Sequence, residues 1–287
     1  MTAALLVIAA LAASLAPAVA AADGIMLIQA GAFWMGRDGG DADEAPLHRV
    51  FVRDFWLERH KVTNGEFAAF LEARGLRSPE GERRYDHDDA DARIRDACRG
   101  AGGPPAPIPC DGGPAPGRWS VEPGFASHPA VEVSWFGARD YCAWRGRRLP
   151  TEAEWEKAAR GDDRRPYPWG GQAPTADRAV FGRTYNATRP TAGRPLGAGP
   201  HGVEDLLGNL REWTSTALRP YPYRQDDGRE PFRGGAGERV VVRGASHDDA
   251  AETLSVTRRH AYDRRGAAAG HHHVGFRCAT SEDLGGR

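Results

Sequence analysis

At 287 residues, with 38 Lys+Arg against 39 Asp+Glu and a net charge of −1, the chain offers no basic excess for a nucleic-acid partner. Its 36 Gly, 21 Pro and 8 Trp point to a loop-rich globular fold anchored by aromatics, because regular helices tolerate little Gly or Pro. The length fits one large domain or two ordinary ones, and lysine occurs only at Lys61 and Lys157.

Residues 1–22 form an apolar run that ends in small residues, with Ala18-Val19-Ala20 as an A-x-A-like cleavage pattern. This reads as a secretory signal peptide cut near Ala20 to Ala22, although its start carries no Lys or Arg; an uncleaved anchor is the alternative. No later segment reaches the roughly 18 apolar residues of a membrane span. A bacterial secreted or periplasmic location is therefore expected.

From Gly24, GIMLIQAGAFWMG reads as two short strands around a turn at Ala30-Gly31. Val50, Val52 and Phe55 alternate as a strand. Thr63 or Asn64 caps a helix with Phe67, Phe70 and Leu71 on one face, stopped at Gly75. Residues 78–127 are polar and rich in Pro and Gly, and read as a surface insertion loop. Val131, Val133 and Trp135 alternate, and Ser134 caps a helix through Ala138, Tyr141, Cys142 and Trp144 that ends at Gly146. Thr151 and Glu154 form a capping box for a second helix with Trp155, Ala158 and Ala159 on its buried face. ERVVVRGAS and HHHVGFRCAT close the chain as strands. Residues 23–282 form the domain, and 283–287 a tail.

Four cysteines after a signal peptide suggest disulfides, with three possible pairings. Cys98 and Cys110 flank a turn-rich loop that a local bridge would close, which would leave Cys142 with Cys278. No C-x-x-C occurs, which disfavours a redox pair or zinc knuckle.

GAFWMG, KVTNGEFAAFL, HPAVEVSWFGARDYCAW, RLPTEAEWEKAAR, YPWG, GNLREW, VVRGAS and GFRCA occur in that order. As a set they resemble the sulfatase-modifying-factor superfamily, which contains the formylglycine-generating enzymes, over about residues 24 to 280. The resemblance implies a compact, irregular α+β fold related to C-type lectins, with many short strands and few helices. It also implies a Cys142–Cys278 bridge. A calcium ion would be held by the Asp205 side chain, the carbonyls of Gly208 and Leu210, and the Glu212 carboxylate, hard oxygens that suit Ca²⁺. The family's second calcium site uses an Asn that is Val180 here, so that site is not expected.

In the formylglycine-generating enzymes two cysteines after this strand hold copper(I). Counting from RGAS, those positions are Asp249 and Leu254, and neither supplies a thiolate. Ser246 matches the serine beside the reactive cysteines. Three readings of His247-Asp248-Asp249 stand open. A substituted site for iron or copper would use His247, Asp249 and His260 or one of His271, His272 and His273. Metal-free chemistry would use Asp249 as a general base. The third reading is a hydrated loop in a domain without catalysis. Of the three adjacent histidines at most two can converge, because neighbours on a strand face opposite ways, and a solvated loop is the plainer reading.

The leading expectation is an exported accessory protein of this superfamily. It would assist oxidative maturation of a periplasmic protein, peptide or metallo-enzyme, using Ser246, His247, Asp249 and His260. A non-catalytic lectin-like binding module and a sulfatase activator are the alternatives.

Overall fold

Short apolar alternations at the N-terminal end build four strands. They are β1 (Ile25–Ile28), β2 (Gly31–Met35), β3 (His48–Val52) and β4 (Phe55–Glu58). The computed structural model describes residues 24–99, 113–114 and 116–281. The expected signal segment, Cys110 and the tail beyond 281 lie outside them. Although β1 and β2 flank the expected turn, they do not pair with each other. β1 runs antiparallel to β4, with Ile28 opposite Phe55, and β2 antiparallel to β3, with Phe33 opposite Val50.

Helix α1 (Asn64–Arg74) starts at Thr63, whose hydroxyl accepts from the Glu66 N–H while the Glu66 carboxylate accepts from the Thr63 N–H. It stops at Gly75, at φ 74°. The next stretch corrects an expectation. Rather than a plain surface loop, 78–127 contributes a hairpin, β5 (Ile94–Asp96) with β6 (Trp119–Val121), and sends Tyr85, Ala92, Ile94 and Trp119 into the core. The Tyr85 hydroxyl accepts from the N–H groups of Arg93 and Ile94, which fixes the hairpin's start. The apolar spacing at Val131, Val133 and Trp135 makes no strand. Trp135 already begins α2 (Trp135–Trp144), capped by Ser134. Helix α3 (Glu152–Arg160) carries the Thr151–Glu154 capping box and ends at Gly161.

The second half forms a sheet of β7 (Arg211–Ala217), β8 (Arg239–Arg243), β9 (Arg259–Asp263) and β10 (Val274–Gly275), in the order β10-β7-β8-β9. A short helix α4 (Arg264–Ala268) follows β9, and β11 (Ala279–Thr280) returns to pair with β4, joining the chain's two ends. Eleven short strands and four α-helices among the described residues make an α+β fold.

Two apolar cores hold it. One gathers Phe67, Phe70, Tyr85, Tyr141, Trp213 and Phe276, with the Cys142–Cys278 disulfide inside it. The other gathers Phe33, Phe55, Leu57, Trp155, Leu206 and Leu254. The local bridge expected at Cys98 falls partly outside the described residues, but Cys98 is not a free thiol.

Helix α3 is buried on every side, not only along Trp155, Ala158 and Ala159. Its carboxylates turn inward. Glu156 accepts from Arg243 at the end of β8 and from Arg160, and Glu152 takes both nitrogens of Arg259 on β9 at 3.0 Å. These pairs fix the end of β8, where the candidate site begins.

Candidate functional site

β8 leads into Gly244, whose φ of 86° and close neighbours, Leu206 O and the Trp155 ring, leave no room for a Cβ. The chain then turns sharply through residues 246–249. The His247 N–H donates to Asn209 O, its carbonyl accepts from Arg183 N–H, and the Asp249 carbonyl accepts from Gly182 N–H. The loop is thus pinned between two others.

The expected residues separate here. Ser246 is buried, and its hydroxyl donates to Asp248 Oδ1 and lies 3.1 Å from Asp249 Oδ2. Asp249 is engaged through both oxygens: Oδ1 pairs with Arg211 at 2.5 Å and Oδ2 accepts from Ser246 N–H at 2.7 Å. It is a structural anion of the turn, not a carboxylate directed at a ligand. Its neighbour Asp248 is exposed and turns the other way, 3.8 Å from His272 Nε2. Leu254, at the second thiolate position, lies in the apolar core. His260 sits on β9 with an unpartnered Nε2, beside Arg211 and Arg258. Burial and those arginines push its pKa down to about 4. No ring contact or ion pair links it to His247 or His272 among the described residues.

His247 is fully buried. Its Nδ1 lies 2.9 Å from Asn209 O, and because a carbonyl only accepts, Nδ1 carries the proton. Nε2 then holds a lone pair, and it is buried without a partner. Burial lowers the pKa, which keeps the ring neutral. His272 Nε2 is likewise buried without a hydrogen-bond partner, and the two rings lie 6.1 Å apart.

The three adjacent histidines precede β10 in a turn, half-buried rather than solvated. His271 donates to Gly266 O and stacks on Tyr262. His273 Nε2 meets the Tyr262 hydroxyl at 2.7 Å, and burial with Arg211 nearby pushes its pKa down to about 3. Only His272 and His273 converge with Asp248, their ligand atoms all within 4.8 Å of one another.

On the other edge of the His272 ring, Asp91, Glu132 and His272 form a second such group. Glu132 is buried at φ 58°, a strained conformation for a non-glycine residue. Burial, reinforced by Asp89, Asp86 and Asp91, pushes its carboxyl up to about 8. Sequence reasoning missed Asp91, Glu132 and Arg211 because they reach the site from three separate segments. Asp248 differs from the chosen Asp249 only by the direction of the turn.

Three of the four oxygens assigned to calcium do converge, but around Lys61. Its ammonium donates to Asp205 O, lies 3.4 Å from Gly208 O, 3.5 Å from Asp205 Oδ2 and 3.3 Å from Glu212 Oε1. Leu210, the fourth expected ligand, is fully buried. With a buried cation already inside, this set does not fit a divalent ion as well.

This order of short strands around a buried, charged helix α3 can be set beside known proteins. Sulfatase-modifying factor enzyme 1-like domains align with residues 12–282, and the chain belongs to this family. It is 34% identical to the formylglycine-generating enzyme of Streptomyces coelicolor over 292 residues, 91% of this chain and 90% of that protein. It is 37% identical to the hercynine oxygenase of Mycolicibacterium thermoresistibile, over 74% of this chain and 48% of that protein. It is 32% identical to the serine/threonine-protein kinase pkn1 of Chlamydia caviae, over 89% of this chain but only 37% of that longer protein. Among solved structures, PvdO from Pseudomonas aeruginosa shares the fold with a TM-score of 0.62 and 25% identity, over 89% of this chain and 93% of that one. CarF, at 18% identity and a TM-score of 0.55, covers 90% of this chain and 98% of its own, and shares the fold alone.

Proposed function

We propose that this chain is a metal-dependent oxidoreductase of its family, exported and acting in the oxidative maturation of a periplasmic protein, peptide or metallo-enzyme. One observation carries the reading: His272, whose Nε2 is buried without a hydrogen-bond partner, converges with His273 and the Asp248 carboxylate, their ligand atoms all within 4.8 Å of one another, while the unpartnered Nε2 of His247 belongs to a ring 6.1 Å from that of His272. Two histidines and one carboxylate are a donor set suited to iron, and imidazole also suits copper. When bound, such an ion supplies one-electron and oxygen chemistry that side chains lack.

The chain's own residues do the rest. Asn209 O fixes the His247 tautomer, the hydroxyl of Ser246 steadies Asp248, and Tyr262 orients His273. Such outer partners orient ligands and tune them. Glu132, with its carboxyl at about 8, holds a proton at neutral pH beside Asp91 and His272. Tyr185, exposed and 4.2 Å from the His272 ring, gives an arriving peptide an aromatic edge. The thiolate-copper route lacks its ligands, since Asp249 and Leu254 occupy those positions and no described cysteine is free. Support for export comes from the N-terminal apolar run and a buried disulfide, which persists in oxidising compartments. The relative named as a hercynine oxygenase lends the oxidative reading its precedent.

The test is metal titration of the full chain with Fe(II), under anaerobic conditions, and with Cu(I) and Cu(II). One redox ion per chain is expected, with affinity reduced at least about tenfold in His272→Ala and His273→Ala. Wild-type protein that binds neither metal, or variants that bind like wild type, would sink the proposal and favour a binding module. Aldehyde formation on a Cys-x-Pro-x-Arg peptide would instead reinstate sulfatase activation.

A further inference from the structure

We infer that Lys61 is a built-in cation: its ammonium takes the place that the family resemblance gives to calcium, so this chain folds and works without that ion. The geometry is that of a coordination cage closed around nitrogen. Two backbone carbonyls, Asp205 O and Gly208 O, and two carboxylates, Asp205 and Glu212, surround Nζ, and the lysine side chain is wholly buried. An ammonium has three donors and no acceptor. Buried, it requires such a set of oxygens and would repel a second cation.

Charge closes without a metal. Asp205 and Glu212 contribute two negative charges. Lys61 and Arg277, which grips both Glu212 oxygens at 2.7 and 2.9 Å, contribute two positive ones. The two carboxyls respond in opposite ways. Burial pushes the Asp205 carboxyl up, against the pull of Lys61. Burial also acts to raise Glu212, but Arg277 and Lys61 outweigh it and hold that carboxyl below its usual range.

Residue choice supports the same conclusion. The chain has 38 Lys+Arg, of which only Lys61 and Lys157 are lysines. Both are buried, and both place the ammonium on backbone carbonyls, Lys157 on Gly31 O at 2.9 Å. A planar guanidinium cannot fill a cage sized for a compact, roughly spherical charge, whereas an ammonium can. The chain spans 144 residues between Lys61 and Asp205, so the lysine also ties α1's entrance to the turn before β7.

The test compares wild type with Lys61→Gln by equilibrium dialysis against calcium and by thermal unfolding. Wild type is expected to hold no stoichiometric calcium, with a Tm unmoved by EDTA or by millimolar calcium. Lys61→Gln, which leaves one of the two carboxylate charges uncompensated, is expected to lose roughly 10 °C in Tm. It should recover much of that loss in millimolar calcium, with one ion bound per chain. One calcium per wild-type chain, or a fall in its Tm on adding EDTA, overturns the inference. So does a folded Lys61→Gln that ignores calcium. If Lys61→Gln does not fold, the wild-type dialysis still decides. Neither arm depends on the redox-metal proposal, because neither reads iron, copper or activity.

Discussion

Asp248 and Asp249 are adjacent carboxylates put to opposite uses. Asp249 is spent on Arg211 and the Ser246 backbone, while Asp248 faces His272. Replacing each by alanine should therefore separate stability from metal binding. Asp249→Ala loses a charged hydrogen-bonded pair and should cost about 2 kcal/mol in urea unfolding. Asp248→Ala should leave the urea midpoint within about 0.5 kcal/mol of wild type, as exposed positions do, and weaken redox-metal binding at least about tenfold by titration. The opposite assignment of effects would return the ligand role to Asp249. The sequence showed that this turn carries donors in place of sulfur. It did not show which donor faces inward, because a single residue's shift in a tight turn reverses direction. Lys61 was visible only as one of two lysines, since its partners lie 144 residues away.

Elements with local rules were the most legible. Both helix starts with a capping box, at Thr63 and Thr151, were readable from side chains three residues apart. What surrounds those helices was not. Glu152 and Glu156 look solvent-facing in a helix of that composition, yet they are fully buried against Arg259 and Arg243. Breaking such a buried pair typically costs about 3–5 kcal/mol. Beside them, β7 presents Ser215 and Thr216 to Glu230, whose carboxyl burial pushes up from 4.5 to about 7, against hydrogen bonds from Thr216, Tyr223 and Ser215. The folded state keeps that proton longer than the unfolded chain does. Glu230's contribution is therefore complete below about pH 4.5 and is lost as pH rises through about 7. A Glu230→Gln variant should flatten that part of the Tm profile between pH 5 and 7.5 by calorimetry. An unchanged slope would show that Glu230 ionises normally in the folded protein.

Over the whole molecule, the family fold was legible because eight short motifs in fixed order constrain it more than any helix or strand assignment does. The hairpin inside 78–127 and the loss of a strand at Val131–Val133 were not, because both depend on distant packing against Tyr85 and Trp119. The Cys142–Cys278 bridge spans 136 residues within the first core. Replacing both cysteines by alanine should cost about 2–5 kcal/mol, read as a lower guanidinium midpoint with the metal stoichiometry preserved. A midpoint equal to wild type would show that packing alone holds the two segments together.

Asn209 joins the two ends of this account. Its backbone carbonyl takes both the N–H and the ring N–H of His247, while its carboxamide grips Asp205 Oδ2 at 2.8 Å. Damage to the lysine pocket would thus be transmitted as a tilted imidazole. A lineage that exchanged a diffusible mineral for a covalently tethered amine would have freed the His247 turn from fluctuations in the surrounding medium.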